Sequence, residues 1–103
     1  MREIGNYIHG KVVGNLNNYL NVEDPSTGEV ISKVILSNEI DFKDTLKSSI
    51  AGQKEWEKVT PLKRSRILSK YKNLIEENIS ELAEIVSTEH GKTLDDAKGS
   101  ITR

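Results

Sequence analysis

The stretch Glu29 to Leu36 constrains the fold of this chain more than any other segment. Read as a strand, it points Val30, Ser32, Val34 and Leu36 one way and Ile31, Lys33 and Ile35 the other, so both faces carry apolar side chains. A strand apolar on both faces expects cover on two sides. Yet the chain has 103 residues, 35% of them hydrophobic and 30% charged. A domain of that size buries roughly two-thirds of the surface its unfolded chain exposes. A large self-sufficient core is therefore not expected, and the two-sided strand looks for cover beyond these residues.

Around that strand the order is strands first, helices after. Asn6 to Val13 reads as two short strands joined at His9-Gly10, a two-residue hairpin loop in which glycine supplies positive φ. His9 is assigned to turn geometry. A polar connection over Gly14–Asn18 follows, then a strand over Tyr19–Val22, a turn at Asp24-Pro25-Ser26-Thr27-Gly28 with proline presetting φ, and the long strand. Residues 1–36 are thus expected to form a β hairpin and meander, and residues 39–103 three to four helices, an α+β arrangement. Asn38 with Asp41 three residues on marks a helix start. Phe42, Leu46 and Ile50 then recur along one face towards Trp56, with Gly52 and Gln53 as exceptions, in a helix from Glu39 to about Lys58. Thr60-Pro61 starts a second helix, with Thr as cap and Pro where its missing N–H costs nothing, and Ile67, Leu68, Tyr71, Leu74 and Ile75 are its expected buried stripe. Asn78 with Glu81 marks a third start, whose stripe is Leu82, Ile85 and Val86. His90-Gly91 is a helix stop, and Thr93 with Asp96 opens a last helix at about Leu94. That helix makes barely three turns before Arg103, so the expectation is the front piece of a larger protein.

Composition excludes several chemistries within these residues. There is no cysteine, hence no disulfide, thiolate metal site or cysteine nucleophile. Two histidines about eighty residues apart lack ligand spacing. The seven glycines never fall as GxGxxG or GxxxxGK[ST], and no serine sits in GxSxG. Lys63, Arg64 and Arg66 form a basic cluster offset by Glu55, Glu57, Glu76 and Glu77, which reads as a solvated helix face. With a net charge of −1 and basic and acidic residues interspersed, no field favours nucleic acid or an anionic membrane. The N-terminus lacks an apolar signal-peptide region and no apolar run approaches a membrane span, so a soluble, cytoplasmic protein is expected.

Four segments in order resemble the N-terminal region of the aldehyde dehydrogenase superfamily: Tyr7-Ile8-His9-Gly10-Lys11, Asp24-Pro25-Ser26-Thr27-Gly28-Glu29-Val30, Trp56 with Thr60-Pro61-Leu62-Lys63-Arg64, and Glu89-His90-Gly91-Lys92. The ending from Glu89 through Thr93, Asp95, Asp96, Ala97 and Gly99 to Arg103 is most similar to the CoA-acylating methylmalonate-semialdehyde (malonate-semialdehyde) dehydrogenases. Two departures are Gln53, where family members commonly carry Phe, and Asp-Pro-Ser-Thr in place of Asn-Pro-Ala-Thr.

The resemblance implies the N-terminal part of the α/β aldehyde dehydrogenase fold, with residues 1–103 a single incomplete segment of a larger NAD-binding domain. It implies an NAD-dependent, CoA-acylating oxidoreductase that converts methylmalonate or malonate semialdehyde to propionyl-CoA or acetyl-CoA with loss of CO2, homo-oligomeric at full length. In that family a cysteine thiolate attacks the aldehyde, and the thioester is transferred to CoA. The nucleophile, the oxyanion-hole amide, the glutamate and the NAD loops would all follow residue 103, leaving the short chain inactive by itself. The one functional residue carried over is Arg103, aligned with the arginine that contacts the substrate carboxylate; a guanidinium fork suits that task. Alternatives are a non-acylating NAD(P)-dependent aldehyde dehydrogenase and a stand-alone helical interaction module that binds a partner through its apolar stripes.

Overall fold

In the computed structural model of the chain, residues 1–14 and 17–103 are described. Part of the polar connection expected over Gly14–Asn18, residues 15 and 16, lies outside the described residues. The chain divides into two compact units, one of Met1–Val22 with Val30–Val59, the other of Glu23–Glu29 with Thr60–Arg103.

The first unit holds β1 (Arg2–Ile4), β2 (Asn6–Ile8), β3 (Lys11–Val13), β4 (Tyr19–Glu23) but for its last residue, β5 (Val30–Ile35) and α1 (Glu39–Trp56). The hairpin at His9-Gly10 is present: β2 and β3 pair antiparallel, Asn6 opposite Val13 and Ile8 opposite Lys11. His9 at φ 55° and Gly10 at φ 73° are both left-handed, as a hairpin turn following the right-handed strand twist demands. The strands differ from a simple meander in one respect. They form two sheets, and the larger has the order β1-β5-β4, with β1 an additional strand parallel to β5 in the register Arg2 to Ser32 and Ile4 to Val34. β4 runs antiparallel to β5, since Leu36 N–H donates to the Asn18 carbonyl at one end (3.0 Å) and Asp24 N–H to the Glu29 carbonyl at the other (2.9 Å). The two-sided strand is therefore central, with a neighbour on each edge. Ser32 from one face and Ile35 from the other are buried. Among the described residues the Ser32 Oγ has no hydrogen-bond partner.

The second unit contains the 23–29 turn, α2 (Pro61–Glu77), α3 (Ile79–His90) and α4 (Leu94–Thr102). In the turn, Asp24 Oδ1 accepts from Ser26 N–H (2.8 Å), while the Gly28 N–H reaches the Asp24 carbonyl (2.7 Å). That pattern is an Asx turn closing on glycine. α3 packs on α4 through Ala83 and Ala97, both fully buried, whose small side chains let the two backbones approach.

All four expected helix starts are found, and the capping chemistry differs at one. Asn38 and Asp41 make a reciprocal capping box, with Asn38 Oδ1 accepting from Asp41 N–H (3.0 Å) and Asp41 Oδ2 from Asn38 N–H (2.8 Å). Thr60 and Thr93 each accept from the backbone three residues on. Asn78 does not: its side-chain amide turns back to the Leu74 carbonyl (2.7 Å), because the residue also closes α2. α3 therefore begins without a side-chain cap.

The stripe expected to be buried on α2 is exposed except at Ile75. Leu68 is 58% and Tyr71 62% accessible, and Ile67 and Leu74 are likewise open. On α1, Phe42 (64%), Leu46 and Ile50 are open too. The amphipathic periodicity is real, but the neighbouring elements, β2 beside Phe42 and α3 beside Leu74 and Ile75, cover these stripes only in part. Half-buried Ile75, Leu82, Ile85 and Val86 line a cleft of about 590 Å³ in the second unit.

Candidate functional site

The segment from Ser87 to Arg103 forms a continuous hydrogen-bonded structure around the α3–α4 connection. α3 stops at Gly91, whose φ of 85° is left-handed and whose N–H reaches the Ser87 carbonyl (2.8 Å). A Cβ there would come 2.9 Å from Pro25 Cγ, so space as well as conformation selects glycine. The next residue, Lys92, is held at both ends. Its carbonyl accepts from Ser87 Oγ (2.7 Å), and its ammonium donates to Ser100 Oγ on α4 (2.9 Å). Ser100 in turn donates to the Asp96 carbonyl (3.2 Å), so its hydroxyl is used as acceptor and donor together.

Arg103 follows the last turn of α4 and donates its N–H to the Gly99 carbonyl (3.2 Å). Its side chain is exposed. Asp95 and Asp96 lie in the first turn of α4, which puts negative charge at the positive end of the helix dipole and a cation at the negative end. Residues three apart share a helix face, so Ser100 and Arg103 are neighbours, about 5–6 Å between Cβ atoms. Such a face carries an exposed guanidinium able to take a carboxylate bidentately.

Sequence reasoning singled out Arg103 and missed Lys92 and Ser100 as a pair. Lys92 lies in the α3–α4 connection and Ser100 eight positions on in α4, and neither helical nor strand periodicity signals such a contact. A second pairing was also missed in the first unit. His9 Nδ1 lies 3.4 Å from Ser48 Oγ, beside a cleft of about 490 Å³ between the hairpin and α1 that Lys11, Lys47, Asp41 and Asp44 also line. Of the basic cluster, Lys63 and Arg66 are exposed, as a solvated face requires, whereas Arg64 is half-buried.

The N-termini of α1 and α4 are closed by their own caps and carry acidic first turns, which oppose a phosphate. Among the described residues there is no group of three or more metal-ligating side chains, and no helix is long and apolar enough to cross a membrane.

Comparison with known proteins bears on the whole chain. Malonate-semialdehyde dehydrogenase 2 of Bacillus cereus is 37% identical over 97% of the chain, and malonate-semialdehyde dehydrogenase of Pseudomonas aeruginosa 34% over 100%. A crystal structure assigned as methylmalonate-semialdehyde dehydrogenase from Sinorhizobium meliloti 1021, complexed with NAD, superposes on 100% of the chain with a TM-score of 0.96 and 42% identity. The chain spans 21% of the length of each of these proteins. The described α+β architecture is thus that of the N-terminal part of such a fold. The sequence profile of the aldehyde dehydrogenase family matches residues 12–103, and this chain, strands and helices alike, belongs to that family.

Proposed function

We propose that the chain is the N-terminal portion of an NAD-dependent, CoA-acylating semialdehyde dehydrogenase that converts malonate or methylmalonate semialdehyde to acetyl-CoA or propionyl-CoA with release of CO2. The observation that carries this reading is likeness over the full chain to malonate- and methylmalonate-semialdehyde dehydrogenases, together with Arg103 exposed at the end of α4. Both units would be parts of one larger NAD-binding domain, in a cytoplasmic homo-oligomer. The nucleophilic cysteine, the oxyanion donors and the groups that hold NAD and CoA would come from chain beyond Arg103. What these residues contribute is a substrate anchor. The guanidinium of Arg103 binds the substrate carboxylate, which favours carboxylated over uncharged aldehydes and holds the reacting carbonyl in place.

The first experiment is to sequence the DNA downstream of the Arg103 codon and assay the full-length product. A continuing open frame that encodes a cysteine nucleophile, with NADH formed from malonate semialdehyde in a CoA-dependent manner, supports the reading. A stop codon at that point, or turnover independent of CoA, overturns it. In the active enzyme, Arg103→Met should raise KM for malonate semialdehyde by about 10- to 100-fold, the range set by one charge-assisted hydrogen-bonded contact. KM for propanal should stay unchanged.

A further inference from the structure

We infer that Lys92 is the positioning residue for Arg103, straps the α3–α4 connection to α4, and so sets the discrimination between carboxylated and uncharged aldehydes. The inference rests on the reading of Arg103 as carboxylate anchor. α4 has only nine residues, too few to be stable or directionally fixed on its own. Its aim comes from what pins it. Among the contacts that do so are the Thr93 cap at its start, buried Ala97 in its middle, half-buried Ile101 beside Leu82 and Ile85 of α3, and the Lys92 ammonium on Ser100 in its last turns. Of these, the Lys92–Ser100 bond lies three residues before Arg103, on the same face of the helix. Because the Lys92 carbonyl is held by Ser87 of α3, the same residue ties both helices through a single backbone position. A half-buried ammonium that donates to a hydroxyl gives a directed bond where an apolar side chain would give only contact. Loss of that bond frees the last turn to tilt, and the guanidinium then meets the substrate carboxylate less well, which weakens binding of the carboxylated aldehyde.

The test uses the full-length enzyme with malonate semialdehyde and propanal as alternative substrates. Lys92→Met should raise KM for malonate semialdehyde about tenfold, with kcat and the propanal constants within about twofold of wild type. Lys92→Arg, which keeps a charged donor, should recover most of the loss. Ser100→Ala, which removes the acceptor and leaves the lysine free to reach solvent, should reproduce Lys92→Met even if that variant folds poorly. Added to Arg103→Met, Lys92→Met should cost nothing more, because both act through one contact. If Arg103→Met fails to separate the two aldehydes, the anchor reading falls and this inference with it. If Arg103→Met separates them but Lys92→Met and Ser100→Ala leave both substrates unchanged, or slow both equally, the anchor stands and the positioning role of Lys92 is overturned.

Discussion

At the scale of single residues, the positions that decide most are those whose neighbours in space are far away in sequence. Ser32 is 1% accessible in the middle of β5 with its hydroxyl unpartnered, in an alternation that otherwise reads as apolar. Burial of a hydroxyl without a hydrogen bond costs about 1–3 kcal/mol by protein mutational measures. Ser32→Ala in this chain should therefore leave stability unchanged or raise it by about 1 kcal/mol in a urea melt. A clear loss would mean that the hydroxyl has a partner in the folded protein. Arg103 was proposed from its place in the ending Gly99-Ser100-Ile101-Thr102-Arg103, but nothing in local spacing announced Lys92 on Ser100. Lys92 stands before the Thr93 cap and Ser100 lies eight positions on, inside α4, so their 2.9 Å contact needs the lysine side chain to reach along the helix.

At the scale of elements, local chemistry wrote most of the boundaries. Asn38 with Asp41, Thr60 with Pro61, and Thr93 with Asp96 each satisfy backbone donors that the first helical turn leaves open, and each begins a helix where expected. Asn38→Ala should cost about 1 kcal/mol and remove helical signal from the start of α1, read by amide exchange over residues 39–43. An unchanged exchange pattern would show that the box is not holding that end. Asn78 illustrates the limit of the cap rule. The residue serves two helices, and its amide satisfies the end of α2 instead of the start of α3. β1 escaped notice for a related reason. Three residues pairing in parallel with a strand some thirty positions away have no turn signal beside them, and the pairing is decided by β5 needing a neighbour on its open edge.

At the scale of the whole molecule, the exposed stripes on α1 and α2 dominate behaviour. Phe42, Leu46 and Ile50, with Ile67, Leu68, Tyr71 and Leu74, are large apolar side chains left in contact with water. Exposed apolar surface of this kind drives association. The 103-residue chain should show concentration-dependent oligomers by light scattering and bind a hydrophobic dye. Leu68→Lys should lower both with little change in unfolding midpoint. A monodisperse monomer without dye binding would contradict the exposed stripes. The amino-acid sequence by itself determined the hairpin at His9-Gly10, the four helix starts, the α+β order and the family, because turns, caps and amphipathic periods are local and each is written within a few residues. Only the tertiary structure decided which apolar faces are buried, which strand edge β1 occupies and where the Lys92 ammonium ends. Those depend on which elements meet in space, and periodicity states that a helix has an apolar face without saying what will cover it.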